Sequence, residues 1–189
     1  MKERFLYTRF DNFIWFLVPK TGSRSMFDFF INKKLYFPRE KLQAFPNDYS
    51  NCLKFAFVRN PWGRLVSTYE NKVSQPNSPR IKFFKQFKGG SFKEFIRWIG
   101  LNGDDHDRHI KQQTSLVPYD LVDFIGKFEN IQQDFNKLCD KIGIRQQQLP
   151  HLNKTNHKHY TEYYDDETRE IVAERYAKDI EYFGYKFGE

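Results

Sequence analysis

At 189 residues the chain is long enough for one domain, residues 1–189, that buries about 70% of its unfolded surface. With 21 Phe, 11 Tyr and 3 Trp as core material, and 29% charged residues of mixed sign, the composition is that of a globular protein and excludes a disordered one. The +7 formal charge suits an anionic ligand, whether nucleic acid, nucleotide, sulfated sugar or membrane surface, but Lys and Arg are scattered among Asp and Glu and form no nucleic-acid-binding arm.

In chain order, residues 1–13 mix charges with aromatics and contain no signal-peptide stretch. Residues 13–18 (FIWFLV) form a continuous apolar run, as expected of a strand buried on both faces. Residues 19–25 (PKTGSRS) interrupt it with Pro, Gly and small hydroxyls, and Met26, Phe27, Phe29 and Phe30 then open a helical pattern. Residues 52–58 (CLKFAFV) predict a second core strand, followed by a helix with Asn60 as cap, Pro61 in its first turn, and Trp62, Leu65, Val66 and Tyr69 along one face.

Residues 75–90 read as a long loop. Ser91 and Glu94 stand at capping-box spacing before a helix bearing Phe92, Phe95, Ile96 and Ile99. Residues 122–128 (VDFIGKF) predict a third strand, and residues 130–142 a helix stopped by Gly143. Residues 149–160 are polar and read as a loop, and residues 165–183 read as one long amphipathic helix.

Strands alternating with helices predict an α/β fold with a mostly parallel sheet flanked by helices, whose ligand site lies beyond the carboxyl ends of the strands. Cys139 follows the helical spacing of Phe135, Leu138 and Ile142, and Cys52 has no partner at a redox or zinc spacing. A reducing compartment follows, and with no membrane-spanning stretch in the chain as given the expected location is cytoplasmic. A chain trimmed of an anchor has the same sequence.

Two loops carry chemistry. In residues 19–25, small residues opening a helix offer backbone N–H groups and the positive helix end to a phosphate or sulfate, and Lys20 and Arg24 add charge. The pattern is P-loop-like without being a Walker A loop, because Lys20 precedes Gly22. A plain strand-to-helix turn with a snorkelling Lys is the alternative. In the second loop, Arg59 closes a strand and Ser67 lies eight residues on, so the pair suits a phosphate; the alternative is Arg59 against a carboxylate and Ser67 merely exposed.

Together the loops resemble the PAPS-dependent sulfotransferases, the carbohydrate O-sulfotransferase-like family above all (PAPS is 3′-phosphoadenosine-5′-phosphosulfate). Residues 16–25 (FLVPKTGSRS) resemble that family's 5′-phosphosulfate loop. Residues 55–69 (FAFVRNPWGRLVSTY) resemble its 3′-phosphate motif at the Arg, Pro, Arg-Leu, Ser and Tyr positions. Residues 109–113 (HIKQQ) are similar to its HWxPQ element, with Ile110 and Gln112 in place of Trp and Pro. Residues 124–135, 152–164 and 176–185 extend the likeness over nearly the whole chain.

The resemblance implies a sulfotransferase fold and sulfuryl transfer from PAPS to a hydroxyl acceptor, a carbohydrate or small-molecule alcohol, with PAP (3′-phosphoadenosine 5′-phosphate) as product and no metal. Lys20 is then expected at the bridging oxygen, where charge grows as the S–O bond breaks. Thr21, Gly22, Ser23, Arg24 and Ser25 would hold the 5′-phosphate and sulfuryl oxygens, Arg59 and Ser67 the 3′-phosphate, and Lys154 would close over the nucleotide. His109 is the first candidate for the general base and Glu70 the second. Lys82, Lys85 and Lys88, interleaved with Phe83, Phe84 and Phe87, read either as an acceptor cleft or as a helix with a solvated basic face. The rival functions are a nucleotide kinase, a basic nucleic-acid-binding domain with no legible recognition element, and a family member that binds PAPS without catalysis.

Overall fold

Residues 13–18 are apolar at every position because the two faces of their strand are both covered. The computed structural model describes residues 5–9, 12–32, 39–42, 51–74, 82–150 and 158–189. Five strands form one sheet: β1 (Phe5–Arg9), β2 (Phe13–Phe16), β3 (Arg39–Leu42), β4 (Leu53–Val58) and β5 (Phe124–Lys127), in the order β3-β1-β2-β4-β5. The β2–β4 and β4–β5 pairs are parallel, with Trp15 opposite Phe55 and Phe57 opposite Gly126. β1 is antiparallel to both β2 and β3, so the sheet is mixed: a parallel core as expected, extended by two strands that the sequence pattern does not announce.

The chain divides into two compact units, Met1–Arg59 with Gln113–Lys154, and Asn60–Gln112 with Thr155–Glu189. The first contains the sheet. Phe13, Trp15, Phe55 and Phe57 point to one face, where they meet Met26, Phe29 and Phe30 of α1 (Ser23–Asn32) and Phe135, Leu138 and Cys139 of α4 (Ile131–Ile142). Ile14, Phe16 and Ala56 point to the other, against Tyr7, Leu116 and Val117. The period-2 alternation of a strand thus divides one apolar run between two cores. Cys52 and Cys139 are both buried free thiols, and burial pushes Cys139 up to about 11.

The second unit is built on α2 (Pro61–Lys72), α3 (Phe92–Asn102), α5 (Asp166–Arg175) and α6 (Ala177–Phe183). The expected caps form: Asn60 Oδ1 accepts from Trp62 N at 3.1 Å, and Ser91 and Glu94 close a capping box. Trp62, Leu65, Val66, Phe95, Ile96, Ile99, Val172 and Tyr176 make the core. Residues 75–81 and 151–157 of the two expected loops lie outside the described residues, and Lys82–Phe87 form a 3-10 turn instead of loop. There Phe84 and Phe87 are buried while Lys82, Lys85 and Lys88 are exposed, which is the solvated basic face and not a cleft.

The long helix expected over residues 165–183 is broken at Tyr176, whose φ of −109° and ψ of 24° end α5 and start α6. Its apolar spacing continues through the break, and no Gly or Pro marks it. The break sends the Tyr176 ring fully inside, where its hydroxyl donates to the Ile110 carbonyl.

At Gly126 a Cβ would stand 2.4 Å from the buried Phe57 ring. Gly126→Ala is expected to destabilise the sheet by about 1–3 kcal/mol through overpacking, read as a lower urea midpoint at unchanged slope.

Candidate active site

In a parallel sheet successive strands deliver their carboxyl ends to one edge. Three segments leave the first unit's sheet in this way: the loop after β2, Arg59 after β4, and Phe128 after β5. The loop after β2 is locked by its own backbone. Thr21, buried, donates its hydroxyl to the Val18 carbonyl at 2.9 Å, and the N–H groups of Ser25 and Met26 both reach the Gly22 carbonyl. The Thr21 hydroxyl hydrogen is therefore turned into the protein, leaving this residue its backbone N–H for an anion.

Lys20 and Gly22 both have left-handed backbones, with φ of 73° and 78°. Left-handed residues adjoining right-handed ones turn successive N–H groups toward one concavity, the arrangement that binds anions. Among the described non-glycine residues Lys20 alone has positive φ. Gly22 is required twice over, because a Cβ there would also stand 2.3 Å from Ile131 Cδ1 and 3.5 Å from the Phe128 ring. The close approach that its lack of a side chain permits is to the protein's own α4 and Phe128. Ser23 is half-buried, Arg24 exposed and Ser25 buried in the first turn of α1.

Arg59 joins this loop directly. Its Nη1 donates to the Lys20 carbonyl at 3.3 Å, and its guanidinium carbon lies 4.1 Å from the Phe128 ring centroid, a cation–π contact. Gln113, fully buried, clamps the Arg59 backbone: its Oε1 accepts from Arg59 N at 2.9 Å and its Nε2 donates to Arg59 O at 2.8 Å. Sequence reasoning picked out Lys20 and Arg59 but not Gln113 or Phe128, although both fall in segments that carry the resemblance. Lys154 lies outside the described residues.

The second unit contains Ser67, Glu70 and His109. Ser67 is buried on α2. Glu70, one helical turn on, is already engaged: Tyr163 donates to Oε1 at 2.9 Å and Ser74 to Oε2 at 2.9 Å. Burial and then the Glu70 hydrogen bond push the Tyr163 phenol up to about 12. His109 is half-buried, and its Nδ1 lies 2.6 Å from Asp107 Oδ1. Burial draws the imidazole below its ordinary pKa; Asp107 opposes that, and Lys72 and Arg64 add to it. Neutral His109 is thus the favoured form near neutral pH, the form a base requires.

The sulfotransferase family matches residues 3–186. The chain belongs to that family. Among curated relatives, carbohydrate sulfotransferase 9 of Homo sapiens is 30% identical over 152 residues, 67% of this chain and 32% of that protein. Carbohydrate sulfotransferase 10 of Xenopus laevis is 25% identical over 171 residues, 72% of this chain and 48% of that protein. An uncharacterized protein of Archaeoglobus fulgidus is 29% identical over 119 residues, 59% of this chain and 85% of that protein. The chain therefore spans 32% and 48% of the first two. No solved structure gives a significant match. Among the described residues, no helix is long and apolar enough to cross a membrane.

Within this sulfotransferase-family chain Gly22 is tightly confined. Gly22→Ala adds a left-handed penalty of about 1–2 kcal/mol to the clash with Ile131. Thermal melting of Gly22→Ala should show a lower Tm than wild type.

Proposed function

We propose that the chain transfers a sulfuryl group from PAPS to a hydroxyl acceptor, in the first instance a carbohydrate hydroxyl. One observation carries the reading: the left-handed loop around Lys20 and the guanidinium of Arg59 are hydrogen-bonded to each other, in a chain of the sulfotransferase family. The acceptor class rests on the carbohydrate sulfotransferases to which the chain is similar.

In this reading the acceptor oxygen attacks sulfur as the bond from sulfur to the bridging oxygen breaks, and PAP leaves with that electron pair. The proton of the acceptor hydroxyl passes to His109 Nε2. Lys20 supplies its ammonium where negative charge grows, on the bridging oxygen. The N–H groups of residues 21–24 and the Ser25 hydroxyl hold the 5′-phosphate and sulfuryl oxygens. Arg59 binds the 3′-phosphate, with Ser67 in the role that the family resemblance gives it. A sulfuryl group carries less negative charge than a phosphoryl group, so fixed protein cations suffice and the proposed reaction needs no metal. Of the two candidate bases His109 is preferred, since both Glu70 carboxylate oxygens already accept hydrogen bonds.

Two measurements test this. Calorimetry without metal should give PAP an affinity at least tenfold above ATP, and Arg59→Ala should cost PAP about 1.5–3 kcal/mol, the range for charge-assisted hydrogen bonds, and cost ATP less, so that the preference for PAP narrows. Tighter binding of ATP with magnesium would instead favour a kinase. Lys20→Asn removes the ammonium while tolerating the left-handed backbone, and is expected to lower kcat about 10²–10³-fold with a smaller change in PAP affinity. Transfer of radiolabelled sulfate from PAPS to a panel of p-nitrophenyl hexosides and N-acetylhexosaminides reads that loss.

A further inference from the structure

Residues 108–111 run through turns and bends with no helix or strand, yet side chains take four successive carbonyls. Arg64 Nη2 donates to Arg108 O at 2.8 Å, and the single hydroxyl hydrogen of Thr68 is shared between Arg64 O at 3.0 Å and His109 O at 3.2 Å. Tyr176 donates to Ile110 O, and Arg64 Nη1 to Lys111 O at 2.7 Å. Arg64, Thr68 and Tyr176 are all fully buried.

Burying a guanidinium is costly, and Asp179, Asp104 and Asp107 offset that cost with negative charge around Arg64. A strap held so tightly has its side-chain directions fixed, which is what a reacting group requires of its surroundings.

The strap carries His109, and Asp107 stands at its start. One carboxylate oxygen, Asp107 Oδ1, receives both the His109 backbone N–H at 2.8 Å and the ring Nδ1 at 2.6 Å. The imidazole is therefore held from two points. A carboxylate at Nδ1 requires the proton to sit on Nδ1, which leaves Nε2 with its lone pair. Nε2 makes no hydrogen bond among the described residues, and the His109 side chain keeps 21% of its surface exposed. An edge-on contact with Phe84 limits the ring from the side.

We propose that Asp107 is the positioning residue of the transfer reaction: it fixes His109 as the Nδ1–H tautomer so that Nε2 takes the acceptor proton, on a strap held by Arg64, Thr68 and Tyr176. This rests on the sulfotransferase reading above and adds to it the group that prepares the base. Electrostatics agree with the geometry. Burial pushes the Asp107 carboxyl up, but the hydrogen bonds from His109 outweigh it, so the group stays ionised at neutral pH. The charges facing His109 are Asp107 on its own segment and Lys72 and Arg64 on α2; Phe84, from the 3-10 turn, brings none.

The test pairs a spectroscopic reading with a kinetic one. In ¹⁵N-histidine NMR of the full chain, wild-type His109 should carry its proton on Nδ1. In Asp107→Asn the amide can donate to Nδ1, moving the proton to Nε2. In sulfate transfer to the p-nitrophenyl glycoside panel, Asp107→Asn should lower kcat about 10²–10⁴-fold at unchanged PAP affinity, and Asp107→Glu should recover part of it. Loss of the carboxylate removes what holds the imidazolium, so any residual activity should have its acid limb at lower pH than wild type.

An unprotonated Nδ1 in wild type overturns the proposal whichever acceptor is used, even where the variants fold poorly. So does an Asp107→Asn variant that keeps kcat within twofold and the same acid limb while PAP still binds. A wild type that binds no PAP overturns the donor reading itself, and the role of Asp107 falls with it.

Discussion

Parallel pairing of β2 with β4 and of β4 with β5 is the constraint on which the placement of Lys20 and Arg59 depends. Parallel strands release their chains at the same edge, so the loop after β2, Arg59 after β4 and Phe128 after β5 meet without any of them being long. The register depends in turn on packing. Trp15 stacks nearly flat on Phe55, its pairing partner, with ring centroids 5.8 Å apart and 10° between planes, and Phe57 fills the space left open by Gly126. Slipping either pair by one residue would turn the aromatic face out of its core. Aromatic packing in the first unit therefore fixes where two cations and a helix start come together.

The second unit solves a different problem by different means. Its segment 108–111 lacks the ladder of hydrogen bonds that a strand provides, so buried side chains satisfy its backbone instead. Such a network is worth having only when complete, because each buried carbonyl left without a donor costs about 1–3 kcal/mol. Arg64 is suited to this task and Lys is not: a planar fork of donors can serve two carbonyls at once, while an ammonium would have to be bent between them.

Much of this was legible in the residues. Residues 13–18 announce a core strand by an unbroken apolar run and residues 52–58 a second by a run interrupted at Lys54, Asn60 and Ser91 announce their caps, and Gly143 ends its helix in a left-handed conformation as expected. The outer strands were not legible, since Phe5–Arg9 mixes apolar with polar residues and Arg39–Leu42 has three charged residues of four, neither giving a clean period. The break at Tyr176 hid because helical spacing continues across it; only the demand of the Ile110 carbonyl, far away in sequence, explains it. Lys20 and Arg59 stand out because a small-residue loop between strand and helix is a compact local pattern. Gln113, Phe128 and the holders of residues 108–111 act over long sequence separations, so spacing alone could not connect them to their partners.

Lys20 shows how local strain and long-range contacts are balanced. A non-glycine residue at φ 73° carries about 1–2 kcal/mol of strain, and a glycine would remove it. Lys stands where Gly would be easier, and the role proposed for its ammonium at the bridging oxygen accounts for that. Two contacts hold the backbone in place: Thr21 to the Val18 carbonyl on one side, and the charged Arg59 donor to the Lys20 carbonyl itself. A neutral hydrogen bond contributes about 0.5–1.5 kcal/mol and one to a charged group about 1.5–3, which together cover the strain. Arg59 therefore presents its own charge and also holds the backbone that aims Lys20. The two cations act as one preorganised feature, and in either role Arg59 needs the fixed backbone that Gln113 gives it.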